Sequence, residues 1–96
     1  MTMTKMSDIS VINSNIRSFI LKNFPAAKKR NLNDVVPLLE SGIIDSLGVL
    51  DLVGFLEQTF DMKITDDDLT PENFRNIERM VAFVQTKNSQ IKVAAG

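Results

Sequence analysis

Apolar residues in this chain recur at intervals of three and four, and that spacing commits most of its length to amphipathic helix. Ile9, Ile12, Ile16, Phe19 and Ile20 fall on one side of a first segment, with Asn13, Asn15, Arg17, Ser18 and Lys22 on the other. Asp8 or Ser10 can cap its start. Pro25 ends it, because the residue before a proline avoids the helical region. A second stripe, Val49, Leu52, Val53, Leu56 and Phe60, predicts a helix from about Ser46 to Phe60 with Asp45 as its cap. A third, Ile77, Met80, Val81 and Val84, predicts a helix from about Asn76 to Lys87. No segment alternates with the period of a strand.

The connections are informative too. Pro25 to Asp45 carries Leu32, Val35, Val36, Leu38, Leu39, Ile43 and Ile44, too many apolar residues for a free linker. It is expected to pack over the helices, with Lys28–Arg30 as a solvated basic run. Thr65-Asp66-Asp67-Asp68 reads as a capping box with Asp in place of Glu, opening one short helical turn. Three consecutive acids on a helix point in different directions, so they read as dipole complementation and not as a metal site. Thr70-Pro71-Glu72-Asn73 restarts the chain, and Phe74 is expected to be buried. The expected fold is all-α, three longer helices plus one short helix with a long loop after the first. Residues 1–7 are expected to be a flexible N-terminus, residues 8–87 the folded domain, and residues 88–96 a flexible tail.

Two absences narrow the chemistry. The 96 residues include no cysteine and no histidine. Ser-His-Asp and Cys-His catalysis are therefore impossible within the chain, and the commonest metal ligand is missing. No catalytic residue and no metal ligand is assigned. If the protein takes part in acyl chemistry, the reactive group is added or supplied by a partner. No apolar run reaches the length of a membrane span, and Met1–Met6 lacks the apolar core of a signal peptide. A cytoplasmic protein without membrane insertion is expected.

The net charge of −1 hides an asymmetry. Residues 1–33 hold one acid against six bases, for +5, whereas residues 34–72 hold ten acids against Lys63 alone, for −9. Residues 73–96 return to +3. The acidic middle would attract a basic protein surface and repel nucleic acid.

That middle contains Leu38-Leu39-Glu40-Ser41-Gly42-Ile43-Ile44-Asp45-Ser46-Leu47. Ser46 sits where a loop meets a helix start, so its hydroxyl should face solvent. Free N–H groups and the positive end of the helix dipole would stabilise a phosphate ester there. Asp45 could hold a divalent cation needed for phosphoryl transfer. Gly42 lets the loop turn before Ile43-Ile44 anchors it. Taken alone, Asp-Ser-Leu is too short to say more than that a helix is capped. Leu47 and Leu50, beside Asp51, lie off the core stripe, and Gly54 follows one turn later. Gly54 reads equally as room for a partner or as close internal packing.

The combination Gly42-x-x-Asp45-Ser46-Leu47, Leu56-Glu57-x-x-Phe60, Ile64-Thr65-x-x-Asp68-Leu69 and Asn73-Phe74-x-x-Ile77 resembles the acyl carrier protein family over roughly residues 8–87. The resemblance implies a four-helix bundle without catalytic activity of its own. It implies a 4′-phosphopantetheine arm, joined to Ser46 by a phosphopantetheinyl transferase that uses coenzyme A, with Asp45 supporting the modification. The arm's thiol would hold acyl or aminoacyl groups as thioesters. An acyl-activating ligase or acyltransferase would load it, and downstream synthase enzymes would use it. The helix beginning at Ser46 would be the docking surface, with Leu47, Leu50, Asp51, Gly54 and Glu57 facing partners, and the carrier would be a monomer.

Carriers of general fatty acid synthesis crowd that helix with glutamates, whereas here it holds only Asp51 and Glu57, with Gln58 and Thr59 beside them. The expectation is therefore a specialised stand-alone carrier in a fatty-acyl, polyketide or related biosynthetic pathway. An aminoacyl carrier of peptidyl or D-alanyl type, loaded by an adenylating ligase, is the alternative. An unmodified helical interaction module is the other.

Overall fold

The first apolar stripe forms α1, Ile9–Asn23, with Ile12, Ile16 and Ile20 fully buried. The structure is a computed structural model that describes the backbone of residues 9–95 and the side chains of residues 9–87. Among these there are three further helices: α2, Ala26–Lys29; α3, Ser46–Phe60; and α4, Ile77–Ala95. A 3-10 turn spans Asp66–Asp68, and no described residue is in a strand. The all-helical bundle expected from the apolar spacing is therefore present.

The core is built from the inner faces of α1, α3 and α4. Leu52, Leu56 and Phe60 of α3 meet Ile77, Met80, Val81 and Val84 of α4, and α1 packs along α4. Phe74 is buried, as expected, and so is Phe83. Ile9 is a correction: at the first turn of α1 it is 54% exposed. Val49 and Val53 flank the core half-buried instead of forming its centre.

The long connection packs, and it also contains an element that its composition concealed. Pro25 leads into the single turn of α2, whose Ala27 is buried. Lys28, Lys29 and Arg30 are exposed at its end. The run that follows is tied to both ends of the bundle. The Asp34 carboxylate accepts hydrogen bonds from Arg17 and Asn13 of α1. The Asp34 carbonyl accepts from the Glu78 N–H at 2.9 Å, and the Leu38 N–H donates to the Arg75 carbonyl at 2.8 Å. Asn76, buried before α4, donates to the Val35 carbonyl and accepts the Arg79 N–H. Leu38, Ile43 and Ile44 are thereby held in the core.

α3 stops at Phe60 because Asp61 enters the left-handed region at φ 51, a conformation that Asp tolerates better than most residues. α4 is longer than the helix expected to about Lys87: its backbone is helical to Ala95. Residues 88–95 include no Gly or Pro to break the helix. The flexible segment expected over residues 1–7, and Gly96, lie outside the described residues.

The 3-10 turn is bound to α4. The Asp68 carboxylate accepts from the Thr65 N–H at 3.0 Å and its hydroxyl at 3.1 Å, the reciprocal half of a capping box. Lys87 Nζ lies 2.7 Å from the same oxygen, and both side chains are mostly sheltered. The Lys87 hydrogen bond first, and the Thr65 N–H second, hold the Asp68 carboxyl below its ordinary 3.8. A carboxylate depressed on folding stabilises the fold above its unfolded pKa and loses that contribution as pH falls through the folded value. Lys87→Met should therefore be less stable than the natural protein near about pH 7, and the gap should close towards about pH 2. Denaturant titrations across that range measure it, and a gap independent of pH would refute the pairing.

Candidate functional site

The backbone that delivers Ser46 is wound around Leu38. The Ile43 and Ile44 N–H groups both donate to the Leu38 carbonyl, at 3.1 and 3.2 Å. The Gly42 N–H donates to the Leu39 carbonyl, and Gly42 takes φ 81, which a side chain would resist. The Arg30 guanidinium covers Gly42 at 3.9 Å from where a Cβ would stand. Two buried isoleucines then seat the chain, and Asp45 follows in extended conformation.

Asp45 caps α3 as expected: its Oδ1 accepts the Gly48 N–H at 2.8 Å. Ser46 is the first residue of the helix and is exposed, and its hydroxyl is bonded to no other described residue. The first N–H groups of α3 point past it, as at any helix start. Gly48 is buried against Phe24, and a Cβ there would meet the ring at 2.8 Å. That contact, which spacing alone did not reveal, locks the first turn of α3 against the end of α1.

The residues expected to face partners divide into two groups. Leu47 and Leu50 are 73% and 60% exposed, and Asp51 and Gly54 are exposed beside them. Nothing lies within 4 Å of where a Gly54 Cβ would stand, so internal crowding does not require a glycine there. Glu57 is half-buried, and its Oε2 accepts the Ile64 N–H at 2.8 Å. Its carboxylate therefore braces the segment after α3.

α1 contributes to this face as well. An open groove of about 730 Å³ runs between α1 and α3, lined by Leu50, Asp51, Gly54, Glu57 and Gln58 on one side and Phe19 and Asn23 on the other. Phe55 forms part of it, stacked on Phe19 with ring centroids 4.3 Å apart and planes 19° apart. Phe19 belonged to the core stripe in the sequence. Only the tertiary pairing shows that it also walls a surface groove.

Among the described residues no cluster of three carboxylates could hold a metal ion, and no helix is long and apolar enough to cross a membrane. Residues 27–84 match the family described as "Phosphopantetheine attachment site", a stretch that includes all of α3. Over 75 residues the chain is 35% identical to the "Probable acyl carrier protein PigG" of Serratia sp. (strain ATCC 39006), covering 78% of this chain and 86% of that protein. It is 27% identical over 77 residues to an acyl carrier protein of Buchnera aphidicola, covering 80% of this chain and 92% of that one. The chain thus belongs to the acyl carrier protein family: it is a 4′-phosphopantetheine-dependent carrier and not an enzyme.

Proposed function

We propose that Ser46 carries the 4′-phosphopantetheine arm, esterified through Oγ, and that the exposed face of α3 presents the loaded arm to partner enzymes. The observation that carries this reading is the placement of one exposed, unengaged hydroxyl at the first residue of α3, on a backbone seated by two buried isoleucines. A phosphodiester there lies at the positive end of the helix dipole. When attached, the arm supplies the thiol that the chain lacks, and with it thioester chemistry.

The protein's own residues do the positioning. In the attachment reaction Ser46 Oγ bonds to the phosphorus that bears the pantetheine. The diphosphate linkage of coenzyme A breaks, and adenosine bisphosphate leaves. Asp45 keeps Oδ1 on the Gly48 N–H and offers Oδ2 to the divalent cation of a phosphopantetheinyl transferase. Leu47 and Leu50 give partners an apolar patch, Asp51 the acid beside it and Gly54 the gap after it. Glu57 borders the same groove and braces the segment after α3 through the Ile64 N–H.

The pathway we infer is a specialised one, in the cytoplasm, with an activating ligase or acyltransferase loading the arm and synthase enzymes using the cargo. The composition of α3 supports it: the helix holds only two acids, Asp51 and Glu57, and Glu57 also accepts the Ile64 N–H of its own chain. A face with so few acids suits partners that read apolar contact as much as charge.

Incubation with coenzyme A, magnesium and a promiscuous phosphopantetheinyl transferase should add one phosphopantetheine mass to the intact protein. Ser46→Ala should gain none while changing stability by less than about 0.5 kcal/mol. A mass gain in that variant would place the arm elsewhere.

Asp45 separates capping from catalysis of the attachment. Asp45→Asn should keep the cap and lose loading rate, whereas Asp45→Ala should also lose about 1 kcal/mol of stability in denaturant unfolding. Equal loading by Asp45→Asn and the natural protein would limit Asp45 to capping.

Asp51→Lys should fold normally but associate more slowly with a cognate loading enzyme, with an altered salt dependence in stopped-flow measurements. Unchanged association kinetics would remove Asp51 from the docking face.

A further inference from the structure

The buried stripe of α3 is Gly48, Leu52, Leu56 and Phe60, and its first member has no side chain. The ring of Phe24, one residue past α1, fills that place. Its Cε1 and Cζ stand 2.8 and 3.2 Å from where a Gly48 Cβ would be, and the next nearest atom is Asp45 Oδ1 at 3.3 Å. The Gly48 φ is not positive, so its conformation does not require glycine. Alanine also propagates a helix better than glycine. The closeness of the ring is what the missing side chain permits.

Phe24 is itself held. Its ring meets Phe19 edge-on, with centroids 6.1 Å apart and planes 70° apart, and Phe19 stacks on Phe55. Gly48 and Phe55 are seven residues apart, so two rings grip one side of α3 at points about 10 Å apart along its axis. The later turns of α3 have Leu52, Leu56 and Phe60 as anchors of their own. In the first turn Ser46 and Leu47 are exposed and Val49 is half-buried, which leaves Gly48 as its buried residue.

We propose that Phe24 is a positioning residue for the attachment of the arm. Acting through Gly48, it fixes the Asp45 carboxylate and the Ser46 hydroxyl relative to the exposed face that a phosphopantetheinyl transferase covers. This rests on Ser46 as the attachment residue. The ring and the capping carboxylate converge on Gly48, whose N–H donates to Asp45 Oδ1 at 2.8 Å. Without the ring, the turn that bears Asp45 and Ser46 has a void on its inner side, while Leu50 and the turns beyond stay where the core puts them. Attachment needs Ser46 Oγ in line with the phosphorus, and a misplacement of about 1 Å can cost on the order of a hundredfold in rate.

The test follows loading from coenzyme A by the same transferase, as mass gain of the intact protein against time, on variants confirmed folded by circular dichroism. Phe24→Ala should lower kcat by roughly tenfold with the KM for coenzyme A unchanged. Its Gly48 amide should exchange hydrogen faster, while the Leu56 and Phe60 amides keep their protection. Gly48→Ala should also slow loading, because its methyl meets the ring. Adding Phe24→Leu to Gly48→Ala should recover part of the rate, since the smaller side chain makes room, and this pair decides the matter if Phe24→Ala does not fold. A natural kcat in folded Phe24→Ala, or a Gly48→Ala loss that Phe24→Leu does not relieve, overturns the positioning role alone. A natural protein that gains no mass overturns the attachment at Ser46 and the role of Phe24 with it.

Discussion

Asp34 does for this fold what a short cross-link would do. Its carboxylate holds two side chains of α1, Arg17 and Asn13, and its carbonyl receives the Glu78 N–H in the first turn of α4. The Arg17–Asp34 pair is partly solvated, so its direct energy is modest. Its importance is geometric. A single loop residue tied to two helices fixes where the chain from Val35 to Ile44 lies. That stretch then closes on itself through the two amides that share the Leu38 carbonyl. Ser46 is positioned two residues after that closure.

The same logic explains how the start of α3 can be exposed and still well placed. An exposed helix start frays unless its first N–H groups find acceptors. Here Asp45 supplies one, and the Phe24 ring packed on Gly48 supplies contact that no hydrogen bond provides. Between Asp45 and Gly48, the Ser46 hydroxyl is bonded to no other described residue. On the proposed assignment that division leaves the attachment residue open to a modifying enzyme while Asp45 and Gly48 hold the helix start.

Much of this was legible in the sequence, for identifiable reasons. Helical spacing located α1, α3 and the start of α4, because burial on one face leaves a periodic trace. The Asp45 cap and the Thr65–Asp68 pairing were legible because they are local, three residues apart. α2 was not, since a four-residue turn has no room for a period. Gly48 was hidden because its reason is Phe24, 24 residues away in the chain. Glu57 looked like a surface acid, and only its bond to Ile64 shows its bracing role. The α1–α3 groove was invisible for the same cause: part of its lining, Phe19 and Asn23, comes from α1, whose Phe19 had been placed on the core stripe.

One face of α3 thus joins exposure to a fixed start. Leu47, Leu50 and Asp51 are exposed within its first two turns, and open space follows at Gly54. On the other side of the helix Leu52 and Leu56 are fully buried, so the bundle beneath sets where the exposed side chains stand. An enzyme that reads this face as proposed would meet two leucines and an acid at fixed positions. Recognition of that kind needs no conformational change in the bundle. It requires only that the core side of α3 hold the helix still while the opposite side stays uncovered.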